Sequence, residues 1–528
     1  MIVEKKNSRV SNTIYNFVSS MGGQFITILM QFIVRTVFIK TLGKSYLGIN
    51  GLYSNILNML SLTEFGFSNA ILFKLYEPIA KNDYKRLAQL MELYKKIYRI
   101  IGAIIAGVGL CLIPFLPILI SDYDKLEKLH INAVFIFILY LLKSVTSYLF
   151  FSYKSAIIRA NQKEYLINIV SYVFTIVAGI AQIICLILFT DFVIYVVILV
   201  LQVILQNICC ARMADKMYPY INEKCEEKVA TKEIKGIFKD CSALFIYNVN
   251  SFVIKSTDNI IISAVMGISY VALYSNYYIL YTTFYTLFSK IYDSLTHSLG
   301  NLHTEKDKAH EYQIFKSINL VTCIIGGTAF VGIACVADEL ITAWIGSSWV
   351  IKQPFAFLIG LELYTLAVCK QFNRFRNIMG LFQQAKYRPV AGCIINLGVS
   401  VALVHVCGIY GVLIGTIVAD WLTFVWFDPM IIHKYGFENK FSLIQYYLRF
   451  AKQFLIVVMV GIVDYIICNN FLTGWGWLSV VVHSAICGIS VPLVVFLIYR
   501  KTEEGKYLVG IAKRIINKFI RRKKNAQE

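Results

Sequence analysis

The stretch "GLYSNILNML" at residues 51–60 contains the motif Leu-Tyr-Ser-Asn at 52–55, and the same four residues return at 273–276, 221 residues later. A second short motif, Gly-x-Ser-Tyr, precedes the first copy at 43–46 and the second at 267–270. Two matching pairs at a nearly constant offset indicate an internal repeat. A four-residue match is weak by itself, so its place in the chain decides its weight.

The composition places the chain in a membrane. Of 528 residues, 58% are hydrophobic and 16% charged, and the mean hydropathy is +0.64. Apolar runs of about 20 residues recur, long enough to cross a hydrocarbon core about 30 Å thick. The sequence therefore predicts an all-α polytopic membrane protein. Its expected helices α1–α14 span 11–40, 48–76, 92–120, 131–153, 166–189, 192–212, 237–266, 270–300, 315–345, 353–373, 388–407, 410–432, 450–469 and 477–499.

The distribution of basic residues predicts the topology. The first apolar run is too long for a secretory signal core and carries Gln24, Gln31 and Arg35, so we expect a retained helix. With both termini in the cytoplasm, 42 Lys and Arg fall in inner segments, five in outer loops and four inside helices. The net charge of +20 then lies mainly on one side of the membrane. Anionic lipid of the inner leaflet accounts for it more simply than a nucleic acid does.

The repeat predicts two related halves. Its two copies fall near the outer starts of α2 and α8, six helices apart and in the same orientation. A parallel repeat of two six-helix halves is a common transporter architecture. We therefore predict an N-terminal lobe at 1–212, a cytoplasmic linker at 213–236 and a C-terminal lobe at 237–433. Two further helices follow within 450–499, and a basic amphipathic cytoplasmic tail occupies 500–528.

A nucleotide site and a cofactor are not expected. The fragment Leu-Gly-Lys-Ser at 42–45 resembles the end of a phosphate-binding loop. That loop needs a glycine five residues before Gly43, where Phe38 stands. We therefore reject this fragment as a phosphate-binding loop.

Polar side chains within the helices predict the faces that point away from lipid. Helical phase groups Gln31 with Arg35 on α1, and Ser54 with Asn58 on α2. Packing of helices through small polar residues explains the serines and asparagines equally well. On α7 and α8, each of Lys255 and Lys290 stands three residues before an aspartate, so each lysine either pairs with it or contacts substrate. Tyrosines along α8, including Tyr278 and Tyr285, suit stacking on sugars or an interfacial belt.

Two further sets of charged residues are candidate sites. A basic rim at the inner mouth suits phosphate groups, although the positive-inside rule alone also produces it. Its members are Lys74, Lys154, Arg159, Lys370, Arg374 and Arg376. Carboxylates inside helices are candidates for coupling to Na⁺ or H⁺, the alternative being buried protonated or paired acids. These acids are Glu64, Asp258, Asp293, Glu362, Asp420 and Asp464.

Three stretches carry a resemblance to a known family. They are "NTIYNFVSSMGGQFITILMQFIVRTVFIKTLGKSYLGINGLYSNILNMLSLTEFGFSNAI" at 12–71, "KSTDNIIISAVMG" at 255–267 and "YSNYYIL" at 274–280. Together they resemble the polysaccharide-transport branch of the multidrug/oligosaccharidyl-lipid/polysaccharide exporter superfamily. Members of this branch are the Wzx-type flippases of capsule, exopolysaccharide and O-antigen assembly. The likeness extends over essentially the whole chain.

The resemblance implies a fold and a substrate. The fold is two six-helix lobes in a V followed by two extra helices. The substrate is an undecaprenyl-pyrophosphate-linked oligosaccharide, moved from the inner to the outer leaflet of the bacterial cytoplasmic membrane through a cation-lined cavity. Arg35, Lys143, Lys255 and Lys290 fit that cavity, although acids outnumber bases within the helices. Membrane lipids, a polysaccharide polymerase and a chain-length regulator are the implied partners.

Two alternatives remain. A drug or organic-cation antiporter of the same superfamily would use the intramembrane acids as its central feature. A membrane polymerase or acyltransferase would need an accessible catalytic loop or an intramembrane acid–base constellation, and the outer loops are short. The sequence therefore predicts a transporter rather than an enzyme.

Overall fold

A computed structural model of the chain describes residues 2–61, 64–128, 131–149, 152–223, 257–304, 307–381, 383–471, 473–511 and 513. Every secondary-structure element among them is helical. The main helices, numbered to match the predicted spans, are α1 Ile2–Leu42, α2a Lys44–Leu60, α2b Glu64–Lys81, α3 Tyr84–Leu112, α4 Ala133–Leu149, α5 Glu164–Leu188, α6 Phe192–Met217, α7 Thr257–Met266, α8 Ile268–Thr304, α9 Lys308–Ile345, α10 Phe355–Ile378, α11 Arg388–Cys407, α12 Ile409–Asp420, α13 Leu443–Asn470 and α14 Trp477–Tyr499.

The prediction of an all-α polytopic membrane protein is confirmed. Among the described residues, ten helices are long and apolar enough to cross a membrane, and α4 with the bent segment after it makes up to eleven. In most of these helices less than a third of the apolar stretch is buried within the protein. An apolar surface of this extent is expected where lipid surrounds a helix.

The two helices that carry the repeated motif are not among those ten. The predicted second span is divided, since α2a ends at Leu60 and α2b begins at Glu64. Ser61 ends α2a, and its hydroxyl donates to the Leu57 carbonyl at 2.9 Å. The other motif helix, α8, is continuous but rich in tyrosine. Neither motif helix therefore meets both requirements, of length and of apolar composition, for crossing a membrane as one described helix.

The chain forms two compact units, Met1–Ala272 and Leu273–Glu528. In unit 1, α1 packs along α5, and α4 packs against both α3 and α6. The described end of the predicted seventh span belongs to this unit as well: the Ser121 amide donates to the Ser263 carbonyl at 3.2 Å. Gly267, with φ +94°, makes the turn into α8, and a Cβ there would lie 2.3 Å from a carboxylate oxygen of Asp122.

Unit 2 is built around α9, which packs against α10, α13 and α14. More than half of the apolar stretch is buried in α9 and in α10. Phe315 on α9, Phe372 on α10, Tyr446 on α13 and Val491 on α14 belong to one buried cluster. The C-terminal pair α13–α14 is therefore joined to the bundle through α9, one of the most buried helices of the unit.

Two regions differ from the expected domain limits. The boundary between the units lies at 272/273, whereas the sequence placed the linker at 213–236, most of which is outside the described residues. The tail is helical from 503 to 511. Glu504 and Gly505 are buried and Leu508 packs on the unit 2 core, so the first turns of the tail dock on the protein.

Candidate functional site

The repeated motif provides buried anchors near the start of each motif helix. In unit 1 the Tyr53 hydroxyl donates to the Ala133 carbonyl of α4 at 3.0 Å, and its ring meets Phe137 edge-on. In unit 2 Tyr274 is likewise buried, with its ring edge-on to Phe355 of α10. The motif tyrosine therefore fixes each motif helix to its own bundle. Three residues after the first copy, Asn58 is exposed, as expected for a polar face.

Two of the basic residues that the sequence assigns to the cavity, Arg35 and Lys143, lie in described helices of unit 1. Arg35 on α1 is half-buried, and its charge interacts electrostatically with Tyr195 on α6. Lys143 on α4 is also half-buried, and it forms no ion pair with any residue that the structure describes. Glu64 could pair with either base by its position in the sequence, but its side chain lies outside the described set. Gln31, one turn before Arg35, is exposed.

Unit 2 presents a row of tyrosines along α8. The rings of Tyr274 and Tyr278 stack at 5.7 Å, and those of Tyr278 and Tyr281 stack at 5.5 Å. Further along, Lys370 of α10 donates from Nζ to the Tyr285 hydroxyl at 2.9 Å. The same ammonium lies 4.2 Å from the ring centroid of Tyr285. Two residues that the sequence assigned to different sets, the cavity and the rim, are thus in direct contact.

Two acids converge on this tyrosine row. The Tyr281 hydroxyl hydrogen-bonds the Glu362 carboxylate of α10, and Asp420 at the end of α12 interacts electrostatically with the same tyrosine. Glu362 is buried and Asp420 is half-buried. Carboxylates beside a tyrosine hydroxyl provide hard oxygen ligands of the kind that a small cation binds, and each carboxylate can also take up a proton.

The basic rim divides into exposed and buried members. Lys74 and Arg159 are exposed, and Arg374 is half-buried. Lys154, in contrast, is buried: its Nζ lies 2.6 Å from Asp215 of α6 and 3.0 Å from Asn222. Its contacts are therefore those of an internal ion pair, so Lys154 is less accessible to a phosphate group than the exposed members of the predicted rim.

Arg376, a second member of the predicted rim, is also enclosed in the protein. Its side chain is fully buried on α10, where Nη1 lies 3.2 Å from the Asp428 carboxylate. Arg388, at the start of α11, contacts the other carboxylate oxygen and stacks 3.7 Å from the Phe424 ring centroid. Two guanidinium groups thus share one carboxylate, because a buried charge requires a partner of opposite sign.

The helix carrying Asp428 is irregular on both sides of it. π-Helical turns cover Trp421–Val425 and Ile432–Gly436. Such turns widen the helix locally and are frequent at functional positions. Asp428 is not among the candidates from the sequence, because it lies near the predicted end of α12 and its two partners come from other helices. The signal for it in the sequence is a carboxylate inside an apolar span with arginines at two neighbouring helix ends.

The remaining candidates are separated. Asp464 of α13 is buried and accepts a hydrogen bond from Ser490 of α14, so it belongs to the C-terminal pair. Asp258 is buried in the described part of α7, and Lys290 is exposed on α8. Lys255 and the Asp293 side chain lie outside the described residues.

Sequence comparison places the chain in a family. Residues 37–354 match the family model described as polysaccharide biosynthesis protein. The chain belongs to this family. The match includes both copies of the Leu-Tyr-Ser-Asn motif and most helices of the two predicted lobes, and it confirms the resemblance to the polysaccharide branch of the exporter superfamily. No curated protein matches the sequence significantly.

Solved structures support the fold of this polysaccharide biosynthesis protein. The lipid II flippase MurJ in its inward closed conformation has a TM-score of 0.63 and 14% identity, covering 92% of this chain and 99% of that chain. An inward-facing multidrug resistance MATE transporter of the MOP superfamily has a TM-score of 0.55 and 15% identity, covering 79% and 96%. An outward-facing MATE transporter of the same superfamily has a TM-score of 0.51 and 14% identity, covering 80% and 95%. At these identities the likeness shows a shared fold.

Proposed function

We propose that the protein is a flippase for undecaprenyl-pyrophosphate-linked oligosaccharide repeat units. It moves them by alternating access from the inner to the outer leaflet of the bacterial cytoplasmic membrane, with both termini in the cytoplasm, for capsule, exopolysaccharide or O-antigen synthesis. Membership of the polysaccharide biosynthesis protein family carries this proposal. A polymerase and a chain-length regulator remain the expected partners.

The basic residues of unit 1 suit the pyrophosphate. Arg35 and Lys143 stand within membrane helices and are both half-buried. Burying a cation in the hydrocarbon core costs free energy, so these side chains are expected to face a polar ligand or an aqueous interior rather than lipid. An arginine can hold two phosphate oxygens at once, and a lysine adds a point charge. Arg35 and Lys143 are therefore the proposed pyrophosphate contacts.

The tyrosine row of unit 2 suits the sugar. Tyr278 is half-buried between two stacked neighbours, and Tyr285 is half-buried beside Lys370. An aromatic face packs against the C–H face of a sugar ring, and the hydroxyl offers a hydrogen bond at its edge. The row extends over several turns of α8, which matches an oligosaccharide better than a single small solute.

The alternative candidate is a MATE-like organic-cation antiporter. It is favoured by one observation, the convergence of Glu362 and Asp420 on Tyr281, because such a site binds cations. In the flippase the same site would bind the coupling ion, Na⁺ or H⁺. The two functions thus assign different cargo to the protein but the same chemistry to this acid pair.

The test is mass spectrometry of undecaprenyl-pyrophosphate-linked intermediates in cells depleted of the protein. Complementation would compare the wild type with Arg35→Ala and Lys143→Ala. Lys96→Ala is a matched control, since Lys96 is an exposed lysine in a surface pair with Glu92. Complete repeat units should accumulate on the cytoplasmic face in depleted cells and in the two intramembrane variants, and should be cleared by the wild type and by Lys96→Ala.

Normal passage of repeat units in depleted cells would contradict the flippase. If those cells also became sensitive to organic cations, the antiporter would replace it. The chemical composition of any accumulated intermediate would identify the sugar.

A further inference from the structure

The end of α14 and the start of the tail enclose an apolar crevice with a cationic mouth. The crevice has a volume of about 200 Å³. Its walls are Leu320 and Ile324 of α9, Val495 and Phe496 of α14, and Leu508 and Val509 of the tail. Val495 and Leu320 are buried, whereas Phe496 is about half exposed. The crevice therefore opens on the side of α14 where the Phe496 ring is exposed.

Close packing holds the tail in place as one wall. A Cβ on Gly505 would lie 1.9 Å from the Tyr499 carbonyl oxygen, so only glycine allows the tail to turn back so tightly. Lys316, one turn before Leu320, donates to Glu503 at 2.7 Å. This hydrogen bond lowers the pKa of the Glu503 carboxyl. Glu504, the other acid here, is paired with Arg449 at 3.5 Å.

The charge around the crevice is strongly positive. Glu503 and Glu504 pair with Lys316 and Arg449, so these two acids do not neutralise the bases that remain. Those bases are Lys452, Arg500, Lys501 and Lys506, and all four are exposed. Arg500 itself lines the crevice, and Lys452 lies 5.9 Å from the ring centroid of Tyr499. An apolar slot beside an exposed guanidinium matches a molecule with an alkyl chain and an anionic head.

We propose that this crevice binds an anionic phospholipid of the leaflet at this end of the protein. One acyl chain occupies the slot formed by α9, α14 and the tail, and the phosphate lies on Arg500. Free phosphate could make the same contact with Arg500, but it has no acyl chain to bury in the slot. A zwitterionic lipid shares the chain, but its own ammonium group competes with Arg500 for the phosphate.

The test uses the purified full chain in detergent and adds lipid. Native mass spectrometry would count retained phosphatidylglycerol or phosphatidylcholine, and thermal unfolding would be followed with each lipid and with glycerol phosphate. We expect one phosphatidylglycerol to be retained selectively and to raise the unfolding temperature, and glycerol phosphate to have no effect. Equal retention of the two lipids would overturn the proposal. Stabilisation by glycerol phosphate alone would replace it with a free-anion site.

Two pairs of variants separate the head from the chain. Arg500→Gln should weaken phosphatidylglycerol binding about tenfold, since it removes a charge-assisted hydrogen bond. Arg212→Gln, at an exposed arginine of unit 1, should leave phosphatidylglycerol binding unchanged. Val509→Trp should fill the slot and abolish selective retention, whereas Val481→Trp, on a lipid-exposed part of α14, should keep it. Unchanged affinity in Arg500→Gln would refute the assignment even if Val509→Trp did not fold.

Discussion

Arg376 and Asp428 lie 3.2 Å apart with neither side chain exposed, although the two residues are 52 positions apart in the sequence. Arg388 adds a second guanidinium to the same carboxylate. The three side chains thereby join α10, α11 and the irregular helical segment that follows α12 at one point. Removing the Asp428 carboxylate takes the anion of this group away from two buried guanidinium groups. The loss of folding free energy is then far greater than that from breaking an ion pair on the surface.

Asp428→Asn should therefore destabilise the protein by about 3–5 kcal/mol. The unfolding temperature of the purified protein in detergent measures this. Glu438→Gln is the control, because Glu438 forms an exposed pair with Lys440 that contributes at most about 1 kcal/mol. An Asp428→Asn protein as stable as the control variant would show that the arginines have adequate partners elsewhere.

His483 fixes the C-terminal pair at the other end of unit 2. Its Nδ1 lies 2.6 Å from Glu339 of α9 and its Nε2 lies 2.7 Å from the Phe471 carbonyl at the end of α13. A double-mutant cycle of His483→Ala and Glu339→Ala should give a coupling energy of about 1–3 kcal/mol. The readout is again thermal unfolding, with His405→Ala, at an exposed histidine, as the control. Strict additivity of the two substitutions would contradict a direct interaction.

A close helix contact in unit 1 predicts a strong effect of one added methyl group. A Cβ on Gly48 would lie 2.2 Å from the Ile268 carbonyl oxygen, so Gly48→Ala should cost about 1–3 kcal/mol. Gly107→Ala on α3 meets no atom within 4 Å, so it should be neutral or stabilise by up to about 1 kcal/mol. Both are measured as shifts in unfolding temperature. The helix contact would be refuted by equal shifts in the two alanine variants.

The acid pair beside Tyr281 predicts a cation effect. We expect Na⁺ to raise the unfolding temperature of the wild type at fixed ionic strength, and the rise to disappear in Asp420→Asn, because the neutral amide removes a charged ligand. Asp464→Asn should keep the rise, since Asp464 lies on α13 with Ser490 as its partner. A response of Asp420→Asn equal to that of the wild type would exclude this pair as the cation site. A wild-type response to pH but not to Na⁺ would indicate a proton.

The helical spans could be predicted from the sequence because crossing lipid requires a long apolar run, and this signal is local. The α13 and α14 spans follow directly from it. The division of the second span was missed, since a polar run around Ser61 does not show whether the helix continues. The apolar runs of the sequence also placed a span at α8, although α8 is not among the ten described helices that are long and apolar enough to cross a membrane.

The site was only partly predictable, because partners of charged residues are distant in sequence. Counting bases identified Lys154 and Arg376 as cytoplasmic positive charges, but Asp215 and Asp428 lie 61 and 52 residues away. Helical phase alone cannot show which carboxylate a neighbouring helix provides. The contact between Lys370 and Tyr285 was missed for the same reason, although both residues were candidates.

The central position of α9 has a consequence for how movement in this protein can be followed. Because α13 and α14 both pack on α9, as α10 does, these two C-terminal helices would move together with α9 during a transport cycle. A fluorophore or spin label on the exposed face of α14, at Val481 or Leu493, would then report the motion of a helix that is itself too deeply enclosed to be labelled.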